Sequence, residues 1–340
     1  MSSQQTATST ASDSIQPFKL KTVQELYDTP PENIDYCVEN LLPSGGFSVL
    51  VGKPKAGKTT LARQLVVAVA QGRPFLNRRT DQCAVIYIAM EEKESEVRSH
   101  FNALGLQGAD PVHILCERVS KNTSVAMLEA TFKGNPKLKL AVIDPVFRFV
   151  SVKDSNDYIQ VTNALEGLLN LTRNYGVHIL TVHHKKKKDT DDLTDGALGS
   201  TAISGSVDTY IDLRKDRSGL RTLCTDQRYG INLAETQLIW DMKSRRLSLG
   251  KTCVEVEEEG AKRGEDRVTQ EIINYIHEEP GCTQAAIFNA VTGRTSTIRA
   301  MFRGIVEQGL LEEEGQGTKV EPYRYTLKAV PTEEVSPTEA

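Results

Sequence analysis

The sequence has no C-x-x-C pair, no apolar run of membrane-spanning length and no surplus of positive charge. Its six cysteines, Cys37, Cys83, Cys116, Cys224, Cys253 and Cys282, lie far apart. That spacing offers neither a zinc knuckle nor a dense disulfide framework, and it fits a reducing cytosol. None of the six histidines has metal-ligand spacing with a cysteine. The net charge of -4 gives no global attraction to nucleic acid, so such binding has to come from local basic patches. Without a long apolar run there is no membrane helix to expect. The opening "MSSQQTATSTASDSIQ" lacks the basic n-region and apolar h-region of a secretory signal. The expectation is a cytoplasmic protein with no membrane partner. No internal repeat is found.

What is present is ordinary globular material: 340 residues, 39% hydrophobic and 25% charged, room for one large domain and a small one. Short Val/Ile-rich runs, "FSVLVG" (47–52), "AVIYIAM" (84–90), "LKLAVIDP" (138–145) and "VHILTVHH" (177–184), read as strands buried on both faces of a parallel sheet. "KTTLARQLVVAVAQG" and "QVTNALEGLLNLTRNYG" between them have helical spacing and a closing Gly,. Further strands follow in "YIDLRKD", "LRTLCTD", "TQLIWDM" and "RLSLG". The alternation predicts an α/β core with a mostly parallel central sheet.

The expected organisation is a disordered leader (1–17), a large α/β domain (18–250), a charged linker (251–267), a small domain (268–328) and a disordered tail (329–340). Three helical segments and two strands around a Gly-rich turn in the small domain form a winged-helix pattern, a variant of helix-turn-helix.

The segment "GKPKAGKT" matches G-x-x-x-x-G-K-[ST] in full,. Gly52, Lys53, Pro54, Lys55, Ala56, Gly57, Lys58, Thr59 and Thr60 would cradle a nucleotide's phosphates between a strand and a helix N-terminus. Lys58 would meet the β- and γ-phosphates of ATP, and the Thr59 hydroxyl would ligate Mg²⁺. Asp144, closing the apolar run "LAVID", has the Walker B form and is the second Mg²⁺-side ligand. The residue after it is Pro145 rather than a glutamate. Two carboxylates instead end "VIYIAMEE", Glu91 and Glu92. Taken alone they read as a solvated helix start.

These motifs in this order and spacing resemble the RecA-like ATPases, and within them the plasmid RepA-type hexameric replicative helicases, with DnaB-type helicases more distant. "LLPSGGFSVLVGKPKAGKTTLA", "IYIAMEE", "AVIDP", "ILTVHHKKK" and "GSTAISGSVD" carry the resemblance over residues 36–249. It implies that Glu91 is the catalytic glutamate and that His184, or less directly His183, is the γ-phosphate sensor at the end of its strand. It also implies an arginine finger from a neighbouring subunit, for which Arg214 and Arg228 are the candidates.

Lys185, Lys186, Lys187 and Lys188 follow the sensor strand directly. Their place matches the pore-facing loop of RecA-like rings, and a Gly/Ser/Thr-rich second half suits a segment lying along a phosphate backbone. Nearby aspartates, such as Asp189 and Asp191, would partly neutralise them. In the small domain, Arg294, Arg299 and Arg303 suit a recognition helix against phosphates and base edges; a packing or protein-interaction module is the other reading.

The expectation is an ATP-hydrolysing DNA motor, a ring-forming RepA-type helicase, most simply a homo-hexamer. The alternatives are a recombination or repair ATPase or helicase loader that binds DNA without unwinding, and an ATP-controlled DNA-binding switch.

Overall fold

The computed structural model describes residues 19–30, 34–154, 157–185, 203 and 205–328. The expected leader and tail, and Lys186, Lys187 and Lys188, lie outside the described residues.

A short capped helix, α1 (Val23–Asp28), precedes a small antiparallel pair, β1 (Tyr36–Val38) and β2 (Leu42–Pro43). The α/β core then runs β3 (Phe47–Gly52), α2 (Lys58–Gln71), β4 (Ala84–Ala89), α3 (Glu94–Leu104), β5 (Val112–Leu115), α4 (Ser124–Gly134), β6 (Leu138–Asp144), α5 (Val146–Phe149), α6 (Tyr158–Tyr175) and β7 (His178–His184). It continues as β8 (Thr209–Lys215), β9 (Arg221–Gln227), β10 (Thr236–Asp241) and β11 (Arg246–Thr252).

These strands form one sheet in the order β11-β10-β9-β8-β3-β7-β6-β4-β5. From β8 to β5 every pairing is parallel, and β9, β10 and β11 extend the sheet antiparallel. The P-loop strand β3 therefore sits inside the sheet, between β7 and β8. This is the α/β core with a mostly parallel central sheet expected from the strand–helix alternation.

Period-two alternation splits the apolar runs between two faces. Leu50, Tyr87 and Val142 join the core under α2 and α3, with Leu61, Leu65, Val97 and Phe101. Val49, Val51, Ile88 and Ile143 join the core under α4 and α6, with Phe132, Leu165 and Leu168. Both faces are covered, so the strands can be apolar along their whole length.

Of the charged stretch 251–267, residues 251 and 252 end β11, and the rest is the first half of a single helix, α7 (Cys253–Glu278). Thr252 caps it, and Glu255 returns a hydrogen bond to complete a capping box. Glu, Lys, Arg and Ala are good helix formers whatever their charge, and Arg267 pairs with Glu271 one turn on. Its buried positions begin only at Val268, so composition alone reads as a solvated connector.

From there α7 packs with α8 (Gln284–Ala290) and α9 (Thr295–Glu307) beside a three-stranded antiparallel sheet of β12 (Cys282–Thr283), β14 (Arg324–Leu327) and β13 (Leu311–Glu314). Ile272, Ile276, Ile298, Phe302 and Ile305 form a separate small core with Tyr325. Among the described residues, no helix is long and apolar enough to cross a membrane.

Candidate nucleotide site

The site is built where β3 ends and α2 begins. Gly52 closes β3 against Leu213 of β8, and a Cβ there would stand 2.3 Å from the Leu213 carbonyl oxygen. No other residue fits that approach. Lys55 and Gly57 have positive φ, 64° and 115°, which turns successive backbone N–H groups inward. No side chain caps α2, so its first N–H groups are left for a ligand.

Lys58 is buried, and its Nζ donates to the carbonyl oxygens of Gly52 (2.8 Å) and Lys53 (3.0 Å). Burial pushes its ammonium down to about 8, with Asp144's charge opposing. Asp144 is buried too and is pushed up to about 6, first by burial and then by the nearby Glu92 charge. Thr59, whose hydroxyl donates to it, and the cations of Arg63 and Lys58 pull it back. Its Oδ2 is buried with no hydrogen-bond partner. An orphaned carboxylate oxygen beside a Thr hydroxyl is a fitting donor pair for Mg²⁺, a hard cation that takes oxygen ligands. Thr59 and Asp144 are the residues that would hold it.

Glu91 and Glu92 are adjacent but differently held. Glu92 forms an ion pair with Arg63 of α2, whose side chain is 5% exposed. Glu91 is half exposed, and its Oε1 accepts from Nε of Arg148 on α5 at 2.9 Å. Glu92 is thus tied to the body of the fold, and Glu91 is the carboxylate at the surface.

His184 ends β7 directly beside Gly52. Partial burial and the Lys58 charge hold its imidazole below the usual range, with Glu91 opposing. The residues chosen as lysine, base and sensor therefore share one electrostatic neighbourhood. His183, one residue earlier, packs edge-on against Phe147 of α5, with ring centroids 4.9 Å apart.

Lys185 differs from a free basic residue. Its Nζ pairs with the buried Asp212 of β8 at 2.9 Å, and its backbone N–H donates to the Gly52 carbonyl at 3.1 Å. It anchors the chain rather than offering charge to a phosphate.

Of the two finger candidates, Arg214 is fixed within its own chain by Asp212 (3.0 Å) and Glu235 (2.9 Å). Arg228 stands 3.6 Å from Asp208, whose carboxylate accepts from the N–H of Phe47 at the start of β3. That is the end of the sheet opposite Gly52, whereas Arg214 directly follows Leu213, the residue paired with Gly52, and so lies at the P-loop end while held by its two carboxylates. Sequence reasoning missed three arginines that do reach the site: Arg63, Arg148 and Arg221, whose Nε donates to the Ala56 carbonyl at 2.8 Å. Lys215 ends β8 and Arg217 lies on the β8–β9 turn that follows, at the same end of the sheet.

In the small C-terminal unit, Arg294, Arg299 and Arg303 are all exposed on or beside α9. The neighbouring β13 carries Glu312, Glu313 and Glu314.

The family described as AAA domain matches residues 14–190, a span that takes in the P-loop, Glu91, Asp144 and His184. Among solved structures, a KaiC-like protein from the hyperthermophilic archaeon Pyrococcus horikoshii is similar at 15% identity and TM-score 0.48, covering 65% of this chain and 100% of its own. No curated protein matches the sequence.

Proposed function

The chain belongs to the AAA domain family, and from that premise we propose that it is an ATP-hydrolysing DNA motor, a ring-forming replicative helicase of the plasmid RepA type. The observation that carries the reading is the register of β7 against the P-loop: Gly52 is paired with His184, and Lys185 hydrogen-bonds to Gly52. The segment with three further lysines begins at that point, so whatever binds it acts one residue from the phosphate loop.

In this reading each residue has a defined task. The P-loop N–H groups and Lys58 orient the phosphates of ATP and balance their charge. Thr59 and Asp144 would hold Mg²⁺, which would supply positive charge to offset that of the phosphates. Glu91 orients the attacking water and accepts its proton at a carboxylate oxygen. His184 senses the γ-phosphate and passes the change to the segment after β7. Lys186, Lys187 and Lys188 contact the backbone of single-stranded DNA. The C-terminal unit acts as a winged helix, in which the arginines of α9 face duplex phosphate and the acidic β13 is turned away.

The test is ATP hydrolysis with and without single-stranded DNA, beside strand displacement on a forked duplex. Stimulation with displacement supports the helicase. Stimulation alone moves the protein to a recombination or repair ATPase or a loader. Neither leaves an ATP-controlled switch.

A further inference from the structure

The six cysteines, scattered along the sequence, are all free thiols, and the fold brings two of them together. Cys37 lies on β1, and Cys83 stands directly before β4. The segment leading to Cys83 runs antiparallel to β1: Val38 bridges Thr80, and the Asp81 N–H donates to the Cys37 carbonyl at 3.1 Å. On the other side, β6 carries one extra residue, Lys139, between the partners of Ala84 and Val85. The Cys37 thiol donates to the Lys139 carbonyl at 3.4 Å, and the Lys139 backbone N–H hydrogen-bonds to Cys83. The two thiols thus meet over the backbone of one residue, with a hydrogen bond between them. Among the described residues no group of three or more His, Cys, Asp and Glu could hold a metal ion, so the pair has no third ligand there.

The two sulfurs differ in exposure and in charge. Cys37 is 3% exposed and belongs to the core under α2, against which Cys83 packs only partly buried. The hydrogen bond from Cys37 pulls the Cys83 thiol below its usual range; the Lys139 charge helps, while burial and the Asp81 charge oppose. The same hydrogen bond, followed by burial, pushes the Cys37 thiol far up, with Ser44 opposing. The thiolate therefore forms at the more accessible sulfur, and a protonated thiol stands beside it. From hydrogen-bond contact, the sulfurs need only approach to about 2 Å to be joined.

We propose that Cys37 and Cys83 form an oxidation site, which hydrogen peroxide closes into a reversible disulfide that clamps β1 to the entry of β4. The Cys83 thiolate attacks a peroxide oxygen: the S–O bond forms, the O–O bond breaks, and the departing hydroxide takes up the proton Cys83 had lost and leaves as water. The Cys37 sulfur then attacks the sulfur of the Cys83 sulfenic acid. The S–S bond forms, the S–O bond breaks, and the second hydroxide leaves as water with the Cys37 proton. The two thiols lose two electrons and the peroxide gains them. A thiol reductant reopens the bond by exchange. The loop that closes spans about 45 residues and contains β3, the P-loop and α2,. It is tied at the end of the sheet opposite Gly52.

The experiment treats the full chain with hydrogen peroxide, quenches with catalase, alkylates the remaining thiols and maps every cysteine by mass spectrometry. Thermal unfolding is measured alongside, before and after dithiothreitol. A linked Cys37–Cys83 peptide and the loss of two thiols per chain are expected, with no disulfide between chains. Oxidation should raise the melting temperature by about 5 °C, as closure of a loop this long does, and dithiothreitol should reverse the rise. The combined variant Cys116→Ser, Cys253→Ser, Cys282→Ser, which removes the other partly exposed thiols, should behave as the wild type. Cys83→Ser should show no rise, and Cys83→Ala serves if the serine variant does not fold. Cys83 carried on to the sulfinic acid with Cys37 still free, or Cys83 linked to another cysteine, overturns the pair. An equal rise in the Cys83 variant overturns it as well. A linked Cys37–Cys83 peptide with no rise in melting temperature overturns the clamp.

Discussion

Gly52 and His184 stand side by side, the last residues of the parallel strands β3 and β7. The Gly52 carbonyl also accepts from Lys58 Nζ and from the backbone N–H of Lys185. One carbonyl thus joins the phosphate lysine to the start of the basic segment, and the first of the four consecutive lysines, Lys185, is an anchor. Replacing Lys186, Lys187 and Lys188 with Ala should flatten the plot of log affinity for single-stranded DNA against log salt by about 2, at roughly 0.7 per lost contact. Lys185→Ala should leave that slope unchanged. Fluorescence anisotropy across a salt series reads both; an unchanged slope in the triple variant would show the segment is merely solvated.

The two neighbouring glutamates make a second contrast. Glu91→Gln should leave ATP binding intact and lower turnover by about two orders of magnitude or more, since an amide cannot take the water's proton. Glu92→Gln leaves the buried Arg63 without its counter-ion, so it should lower the melting temperature as well as the rate. Thermal unfolding beside steady-state hydrolysis separates the two. Full activity in Glu91→Gln with none in Glu92→Gln would move the base one residue along.

Asp144 links the site to stability. Its folded-state carboxyl is raised from 3.8 to about 6 by burial, so the native state holds a proton more tightly than the unfolded chain. The stabilising contribution is fully present below about 3.8 and is lost as pH rises through about 6. At pH 7.5 the nucleotide-free protein therefore carries an unfavourable buried charge. Asp144→Asn should melt several degrees higher there and lose the advantage towards pH 5, while Mg²⁺-dependent hydrolysis disappears. A lower melting temperature for Asp144→Asn at pH 7.5 would show that the carboxylate is structurally satisfied.

The core strands were legible because burial on both faces leaves continuous apolar runs: β3, β4, β6 and β7 fall within a residue of their expected limits. The edge strand β5 was not, being four residues long with only its two ends, Val112 and Leu115, partly buried against the cores. The P-loop is contiguous and could be read whole. The arginines around it could not, because the fold alone unites them with their partners: Arg63 with Glu92 across 29 residues, Arg148 with Glu91 across 57, Arg221 with Ala56 across 165. No local pattern marks such pairs. The helical front of α7 has no apolar stripe to mark it, and only its Glu, Lys, Arg and Ala content and the Thr252 cap signal the helix,.

The arginines also make the ring testable. A charge supplied in trans to the transition state is worth about three to five orders of magnitude in rate, so the proposed ring needs an arginine facing a neighbour. Arg221 does not fit that role, because it hydrogen-bonds to the P-loop of its own chain. Arg214 is tied to Asp212 and Glu235, and would have to leave both. Arg217, on the β8–β9 turn, and Arg228, paired only loosely with Asp208, are the freer candidates. Each of the four is changed to Ala, and every inactive variant is mixed with Lys58→Ala after confirming assembly and subunit exchange. For an arginine acting in trans, an equal mixture places an intact P-loop opposite an intact arginine at about a quarter of the interfaces of a ring, so that fraction of wild-type activity should return. Arg221→Ala should stay inactive in every mixture, since each of its chains lacks the residue beside its own phosphate loop. Activity regained by Arg221→Ala would place that arginine across the interface instead. If every arginine variant stays dead when mixed, no finger acts in trans, and the case for a catalytic ring falls with it.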